Sequence, residues 1–262
     1  CSEIRLSKEV FVVVQCNVIQ IGIILLLIFG YFANTAHHVD VGGGAPASIG
    51  AFREVFQEGV IIPPVKLVER GEIVDDVFRL IISQIRSKRE TAGDFRAQFA
   101  ANNTGVNRLE VLVDRYGKNL VNFYIEELIK YTDRLAFAEI AKLPKGEYQD
   151  YGYVDNDGFS NEPVKLMVRV LIDKKGVLFD FTGSDNQRRA PVNSTYAQTF
   201  SAAAYALKCV ADPDLPVNEG FYKHVRIIAP EGTVVNCTHP YPVVAGWETQ
   251  IRLNDIIFKA MS

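Results

Sequence analysis

The sequence predicts an α+β fold, with mixed sheets and a helical segment in the first half. Three observations carry this. Val164, Leu166, Val168, Val170 and Ile172 alternate with their neighbours, the period of a half-buried strand. Asp75 to Leu143 carries apolar residues at helical spacing, interrupted at Gly117 and stopped by Pro144. Val10 to Ala33 is dense in β-branched residues, which suit strands.

The elements follow in order. Val10 to Ala33 is the most hydrophobic stretch and is expected to form buried strands. A membrane helix fits it poorly, because Asn17 and Gln20 interrupt it. The clean run from Ile21 to Ala33 falls short of the about 18 residues a span requires. A secretory leader would be basic, whereas Glu3 and Glu9 offset Arg5 and Lys8. Tyr31 to Ala36 should be a strand that delivers His37, His38 and Asp40 to its end. Gly42 to Gly50 is a loop, and Ile61 to Val65 is extended because Pro63 and Pro64 remove donors.

Asp75 or Asp76 can cap a helix reaching about Arg86, with Lys88-Arg89-Glu90 as a solvated loop after it. Asn103 or Thr104 can cap the next helix, which Gly117 ends. Lys118 to Leu143 reads as a longer helix with Val121, Tyr124, Leu128, Tyr131 and Leu135 as its core seam. Gly146 to Gly158, rich in Tyr, Asp and Gly, changes the composition and marks a possible sub-boundary near Gly146. Asp155-Asn156-Asp157-Gly158 opens like a calcium loop without the remaining ligands and reads as a turn. Val164 to Phe181 forms a hairpin turning at Asp173 to Gly176. Thr195 to Val210 is an apolar helix, Asn218-Glu219-Gly220 a loop, Val225 to Ala229 a strand, and Glu248 to Ala260 helical.

Composition narrows the function. A chain of 262 residues with 48% hydrophobic content can bury a substantial core in one large or two small domains. Its net charge of −3 and lack of a long basic run argue against nucleic acid. Cys1, Cys16, Cys209 and Cys237 are too scattered for a disulfide framework, which points to a reducing, cytoplasmic setting. The sequence contains no P-loop, no GxSxG elbow, no CxxC pair and no internal repeat.

The stretch richest in chemistry is Ala36-His37-His38-Val39-Asp40-Val41-Gly42-Gly43-Gly44. Imidazole and carboxylate are ordinary ligands for a divalent ion. In an extended backbone His38 and Asp40 share a face and His37 lies opposite. The glycines permit close backbone approach to a ligand, or simply a turn. Asp94, Arg96 and Gln98 form no single helical stripe; they are either buried hydrogen-bonding groups at a core junction or residues lining an active cleft. Asp180 to Ser184 (DFTGS) ends a strand in a polar glycine loop, a second candidate site or a plain turn.

The Ala36 to Gly44 block resembles the His-His-x-Asp-Val-Gly-Gly segment of the hydantoinase B family: subunits or domains of ATP-dependent N-methylhydantoinases, 5-oxoprolinases and the acetone and acetophenone carboxylases. Gly59 to Lys66 (GVIIPPVK), Gly93 to Leu109 (GDFRAQFAANNTGVNRL), Asp180 to Asn193 (DFTGSDNQRRAPVN), Pro216 to Gly220 (PVNEG) and Pro230 to Asn236 (PEGTVVN) resemble further family blocks. The likeness runs from about Gly30 to the last residue, so residues 1–29 read as an apolar segment outside it, and the chain as part of a longer polypeptide.

The resemblance implies a subunit or domain of an ATP-dependent amidohydrolase that opens a small cyclic amide, a hydantoin or 5-oxoproline ring. ATP would enter through a hydantoinase A-like partner subunit or domain. A divalent ion would be held by one histidine of the pair, His37 first and His38 as the alternative, with Asp40 as ligand or base. Asp94 and Arg96 are the further catalytic candidates, and Gly42, Gly43, Asp180 and Gly183 the substrate contacts. The blocks at His37, Asp94 and Asp180 are expected to share one cleft. In the family an upstream Gly-Thr-His-x-x-Asp supplies further ion ligands, yet no histidine precedes His37. Weak metal binding and no activity for this chain alone are therefore expected. A carboxylase subunit and a non-catalytic scaffold subunit remain as alternatives.

Overall fold

The structure is a computed structural model. It describes residues 8–15, 18–25 and 30–262, with side chains described from Tyr31 onward. The chain forms two compact units, one running to Gly50 and from Phe56 to Tyr124, the other comprising Ala51–Val55 and Ile125–Ser262. The division falls inside a long helix, whereas the change in composition at Gly146 coincides with the start of a strand.

The first unit is built on a five-stranded antiparallel sheet. Its strands are β1 (Lys8–Gln15), β2 (Val18–Leu25), β3 (Gly30–His37), β4 (Ile62–Glu69) and β5 (Glu72–Ile73), in the order β3-β2-β1-β4-β5. The strands expected across Val10 to Ala33 are thus β1, β2 and β3; residues 16–17 and 26–29 of that stretch lie outside the described residues. Helices α1 (Asp75–Ser83) and α2 (Lys88–Tyr116) cover the sheet. Leu67, Phe78, Ile81, Phe95, Phe99 and Val106 form the core between them. Phe78, Phe95 and Phe99 stack in series, with centroids 5.8 and 6.4 Å apart.

Local signals misjudged parts of these helices. Asp75 and Asp76 sit in the first turn of α1, behind Val74, and no side chain caps it. Lys88-Arg89-Glu90 is solvated but helical, the first turn of α2. Asn103 and Thr104 start no new helix, because α2 runs through them unbroken. Tertiary packing overrides the capping signals here. Thr104 donates to the Ala100 carbonyl (2.9 Å), Asn102 is buried against β3, and the Phe32 ring lies where a Cβ on Gly105 would be, 2.7 Å away. Gly117 closes α2 with positive φ (79°), its amide donating to Val113 O at 2.7 Å.

Helix α3 (Lys118–Lys142) has the expected span but not the expected seam. Tyr124, Leu128 and Tyr131 are exposed, and the residues it buries are Thr132, Ala136 and Ile140. Small residues face inward because a loop crosses close to this helix. Asn218 Nδ2 donates to Thr132 Oγ1 at 2.9 Å, and a Cβ on Gly220 would stand 2.7 Å from Asp133 N.

The second unit carries a four-stranded sheet in the order β6-β7-β8-β9. Its strands are β6 (Gly146–Val154), β7 (Val164–Asp173), β8 (Gly176–Asp180) and β9 (Val225–Ile228), the last parallel to β8. The alternation read in β7 appears as predicted, with Val164, Leu166, Val168 and Val170 fully buried. Strand β6 lay unread in the Tyr/Asp-rich segment, since most of its side chains are not buried and its apolar content is low. Helix α4 (Tyr196–Ala211) starts in a capping box between Thr195 and Gln198. Asn218 caps a single-turn helix, α5 (Glu219–Tyr222), where a loop was expected. Helix α6 (Gly246–Met261) packs on α4, β6 and β7. Among the described residues no helix is long and apolar enough to cross a membrane.

Candidate active site

The site is built where β3 meets α2, within the first unit. Strand alternation turns Asn34, His38 and Asp40 inward and leaves His37 exposed on the opposite side. From α2, Thr91, Asp94, Gln98 and Asn102 line one face, spaced at about one turn each. Arg96 leaves from another face, exposed, with its guanidinium 5.8 Å from the Phe78 ring centre.

His38 is the centre of this junction. It is 1% exposed and packs edge-on to Phe95, with centroids 5.1 Å apart. Its Nε2 lies 2.9 Å from Gln98 Oε1. Its Nδ1 has no hydrogen-bond partner among the described residues and faces Asp94 Oδ2 at 3.9 Å. The Asp94 side chain is 44% exposed, so the carboxylate links a buried imidazole to solvent.

Asp40 does different work. Its Oδ1 accepts from the Gly42 amide (2.7 Å) and its Oδ2 from the Ala47 amide (2.8 Å) and Arg86 Nη1 (3.4 Å). Its own carbonyl accepts from Thr91 Oγ1 at 3.1 Å. Arg86 also donates to the carbonyls of Ala45 (3.0 Å) and Gly43. Ala47 and Ser48 hold positive φ (58° and 56°), a strained pair that these bonds fasten. Gly42 and Gly43 have positive φ too, and a Cβ would stand 2.9 Å from Gln84 O or 2.7 Å from Gly59 N. Packing within the chain therefore accounts for both glycines.

Asp180 and Gly183 belong to the second unit. Asp180 accepts from Arg169 Nη2 (2.6 Å) and the Thr182 amide (2.9 Å). Burial opposes its ionisation, but the Thr182 hydroxyl and amide and then Arg169 outweigh that and hold the carboxyl below its usual range. A depressed carboxyl adds stability that is present above the unfolded value of about 3.9 and is lost as pH falls through the folded one. Asp180→Asn is therefore expected to lower stability at neutral pH by about 1–2 kcal/mol, the exposed Arg169 limiting the loss, and to flatten the acid limb below about pH 4. Urea unfolding of both forms between pH 3 and 7 checks it; parallel curves would refute it.

The sequence model described as Hydantoinase B/oxoprolinase matches residues 18–262. The chain belongs to the hydantoinase B/oxoprolinase family. A protein of Methanocaldococcus jannaschii is 38% identical over 240 residues, covering 89% of this chain and 41% of that protein. Caprolactamase subunit beta of Pseudomonas jessenii is 32% identical over 212 residues, 79% of this chain and 36% of the subunit. A 5-oxoprolinase of Dictyostelium discoideum is 26% identical over 235 residues, 88% and 19%. The crystal structure of the ATP-dependent caprolactamase from Pseudomonas jessenii superposes with a TM-score of 0.86 at 25% identity, over 96% of this chain and 46% of that one. A nucleotide-free acetone carboxylase shares the fold, with a TM-score of 0.86 at 17% identity, over 97% of this chain and 37% of that one. This hydantoinase B-family chain thus spans less than half the length of these relatives.

The family resemblance implies a divalent ion, and the donor set tests it. His38 Nδ1 and Asp94 Oδ2 converge, but Asp40 is consumed by its loop and His37 points away. Among the described residues no group of three His, Cys, Asp or Glu side chains is arranged to hold a metal. Two donors fall short of the about three that a catalytic ion takes. The described residues do not complete an ion site.

Asn34 and Arg86 were not singled out from sequence. Asn34 bonds Gln98 and Asn102, 64 and 68 residues away, and Arg86 reaches back 41 to 46 residues to the glycine loop. The only local signal for Asn34 is a polar residue at an inward position of a strand.

Proposed function

We propose that this chain supplies the proton-handling part of an ATP-dependent cytoplasmic hydrolase that opens a small cyclic amide, of the hydantoin or 5-oxoproline kind. ATP would be bound by a hydantoinase A-like partner subunit or domain. The observation that carries this reading is the convergence of a buried imidazole nitrogen, without a hydrogen-bond partner among the described residues, and a solvent-linked carboxylate, His38 Nδ1 and Asp94 Oδ2. Relatives named caprolactamase and 5-oxoprolinase support the cyclic amide as substrate class.

An amide carbon is a poor electrophile, and phosphorylation of its oxygen by the partner would activate it. Water then adds its oxygen to that carbon. Its proton passes to His38 Nδ1, where the Asp94 carboxylate offsets the positive charge of the imidazolium. The ring C–N bond breaks as the nitrogen takes that proton, leaving an acyl phosphate, and a second water hydrolyses it to carboxylate and phosphate. The test is ATP turnover by this chain reconstituted with its partner in the presence of 5-oxoproline, hydantoin or caprolactam, against acetone with bicarbonate. A cyclic amide should stimulate ATP turnover and be opened. Stimulation by the ketone alone, with carboxylated product, would overturn the reading.

A further inference from the structure

Behind His38 lies a chain of side-chain amides whose polarity is set by a single atom. Asn34 Nδ2 donates to the backbone carbonyl of Gln98 at 2.9 Å and to Asn102 Oδ1 at 2.7 Å. A backbone carbonyl can only accept, so the Asn34 amide cannot be turned the other way round. Its Oδ1 must then face Gln98, and it accepts from Gln98 Nε2 at 2.9 Å. That orients Gln98 in turn, with Oε1 directed at His38 Nε2, 2.9 Å away. Two acceptors at that separation would repel, so Nε2 must carry a hydrogen.

We infer that Asn34 and Gln98 are positioning residues that hold neutral His38 as its Nε2–H tautomer, leaving the lone pair on Nδ1 to face Asp94. The inference rests on the proposed function for its purpose, since it names Nδ1 as the atom that takes the proton. It does not rest on it for its evidence. The opposite tautomer would set the Nε2 lone pair against Gln98 Oε1 and aim an Nδ1 hydrogen at an oxygen 3.9 Å away, too far for a hydrogen bond. Turning Gln98 to relieve the first clash would bring its Oε1 against Asn34 Oδ1. Turning Asn34 as well would set its oxygen against the Gln98 backbone oxygen, which cannot adapt. The polarity therefore runs one way, from main chain to imidazole, and what it delivers is a buried nitrogen lone pair beside a half-exposed carboxylate. A ligand group seated between them must donate to both, as a water molecule with its two hydrogens does.

The tautomer is read directly by long-range proton–nitrogen correlation on the 15N-labelled 262-residue chain, at a pH where the imidazole is neutral. The wild type should show a pyridine-like Nδ1 and a pyrrole-like Nε2 for His38. Gln98→Met removes the acceptor at Nε2, and both nitrogens should move toward intermediate shifts as the tautomers mix. A pyrrole-like Nδ1 in the wild type overturns the inference, as does an unchanged pattern in folded Gln98→Met. The wild-type spectrum decides the matter even if a variant fails to fold. Loss of the proposed hydrolase activity is a separate question, since a non-catalytic chain would still show the predicted tautomer.

Discussion

His38→Ala in the partnered enzyme is expected to lower kcat for ring opening by about 10²–10⁴-fold, the range of a lost general base. This corresponds to about 3–5 kcal/mol of transition-state stabilisation. The effect should be concentrated in kcat, because the imidazole is buried and offers substrate one nitrogen rather than a binding surface. In the proposed reaction, phosphorylation by the partner comes before the step that needs His38, so ATP cleavage should lose its coupling to ring opening. His37→Ala should leave both rates within about twofold, since His37 is exposed on the opposite side of the strand. Steady-state turnover of the two variants, with phosphate and opened product measured separately, checks this. Equal losses in both, or a loss confined to KM, would contradict it.

Asp40→Ala should produce the largest change in stability, about 2–4 kcal/mol in the first unit. The carboxylate is 5% exposed and satisfies two main-chain amides and Arg86. Removing it strands the buried Gly42 amide and the part-buried Ala47 amide, at about 1–3 kcal/mol for a fully buried group. It also removes the carboxylate partner of Arg86 and leaves the strained Ala47 without its fastening. Asp40→Asn keeps one acceptor and should cost roughly half as much. Denaturant midpoints settle the point. A shift within about 0.5 kcal/mol for Asp40→Ala would mean that the loop holds itself. On this account the conspicuous Asp of the His-His-x-Asp block builds the loop and does not move the proton.

What could be read in the sequence follows from the range of each signal. Strand β7 was legible because alternation is a local property of a half-buried strand. The C-terminal ends of α2 and α3 were legible at Gly117 and Pro144, where backbone chemistry alone ends a helix. The inward face of α3 was not, since Thr132 is held by Asn218, which is 86 residues away, and Gly220 lies against the backbone at Asp133. Likewise Asn103 and Thr104 look like caps until Asn34 and Phe32 are seen to hold that turn inside α2. The site shows the same division. Alternation sets His38 and Asp40 against His37, and that much is local. The roles of Asn34, Gln98 and Arg86 depend on partners that only the fold brings near. The family resemblance favoured His37 as the first of the pair, whereas the polar network of β3 and α2 is organised around His38.

The central claim is that His38 and Asp94 act together on a proton. Asp94→Asn tests it most directly, because the side chain is half-exposed and the change preserves its shape. The measurement is kcat for cyclic-amide opening in the partnered enzyme, beside the thermal midpoint of the same preparation. The account predicts a fall of at least about tenfold in kcat with the midpoint within about 2 °C of wild type. An unchanged kcat in a fully folded Asp94→Asn enzyme would contradict it.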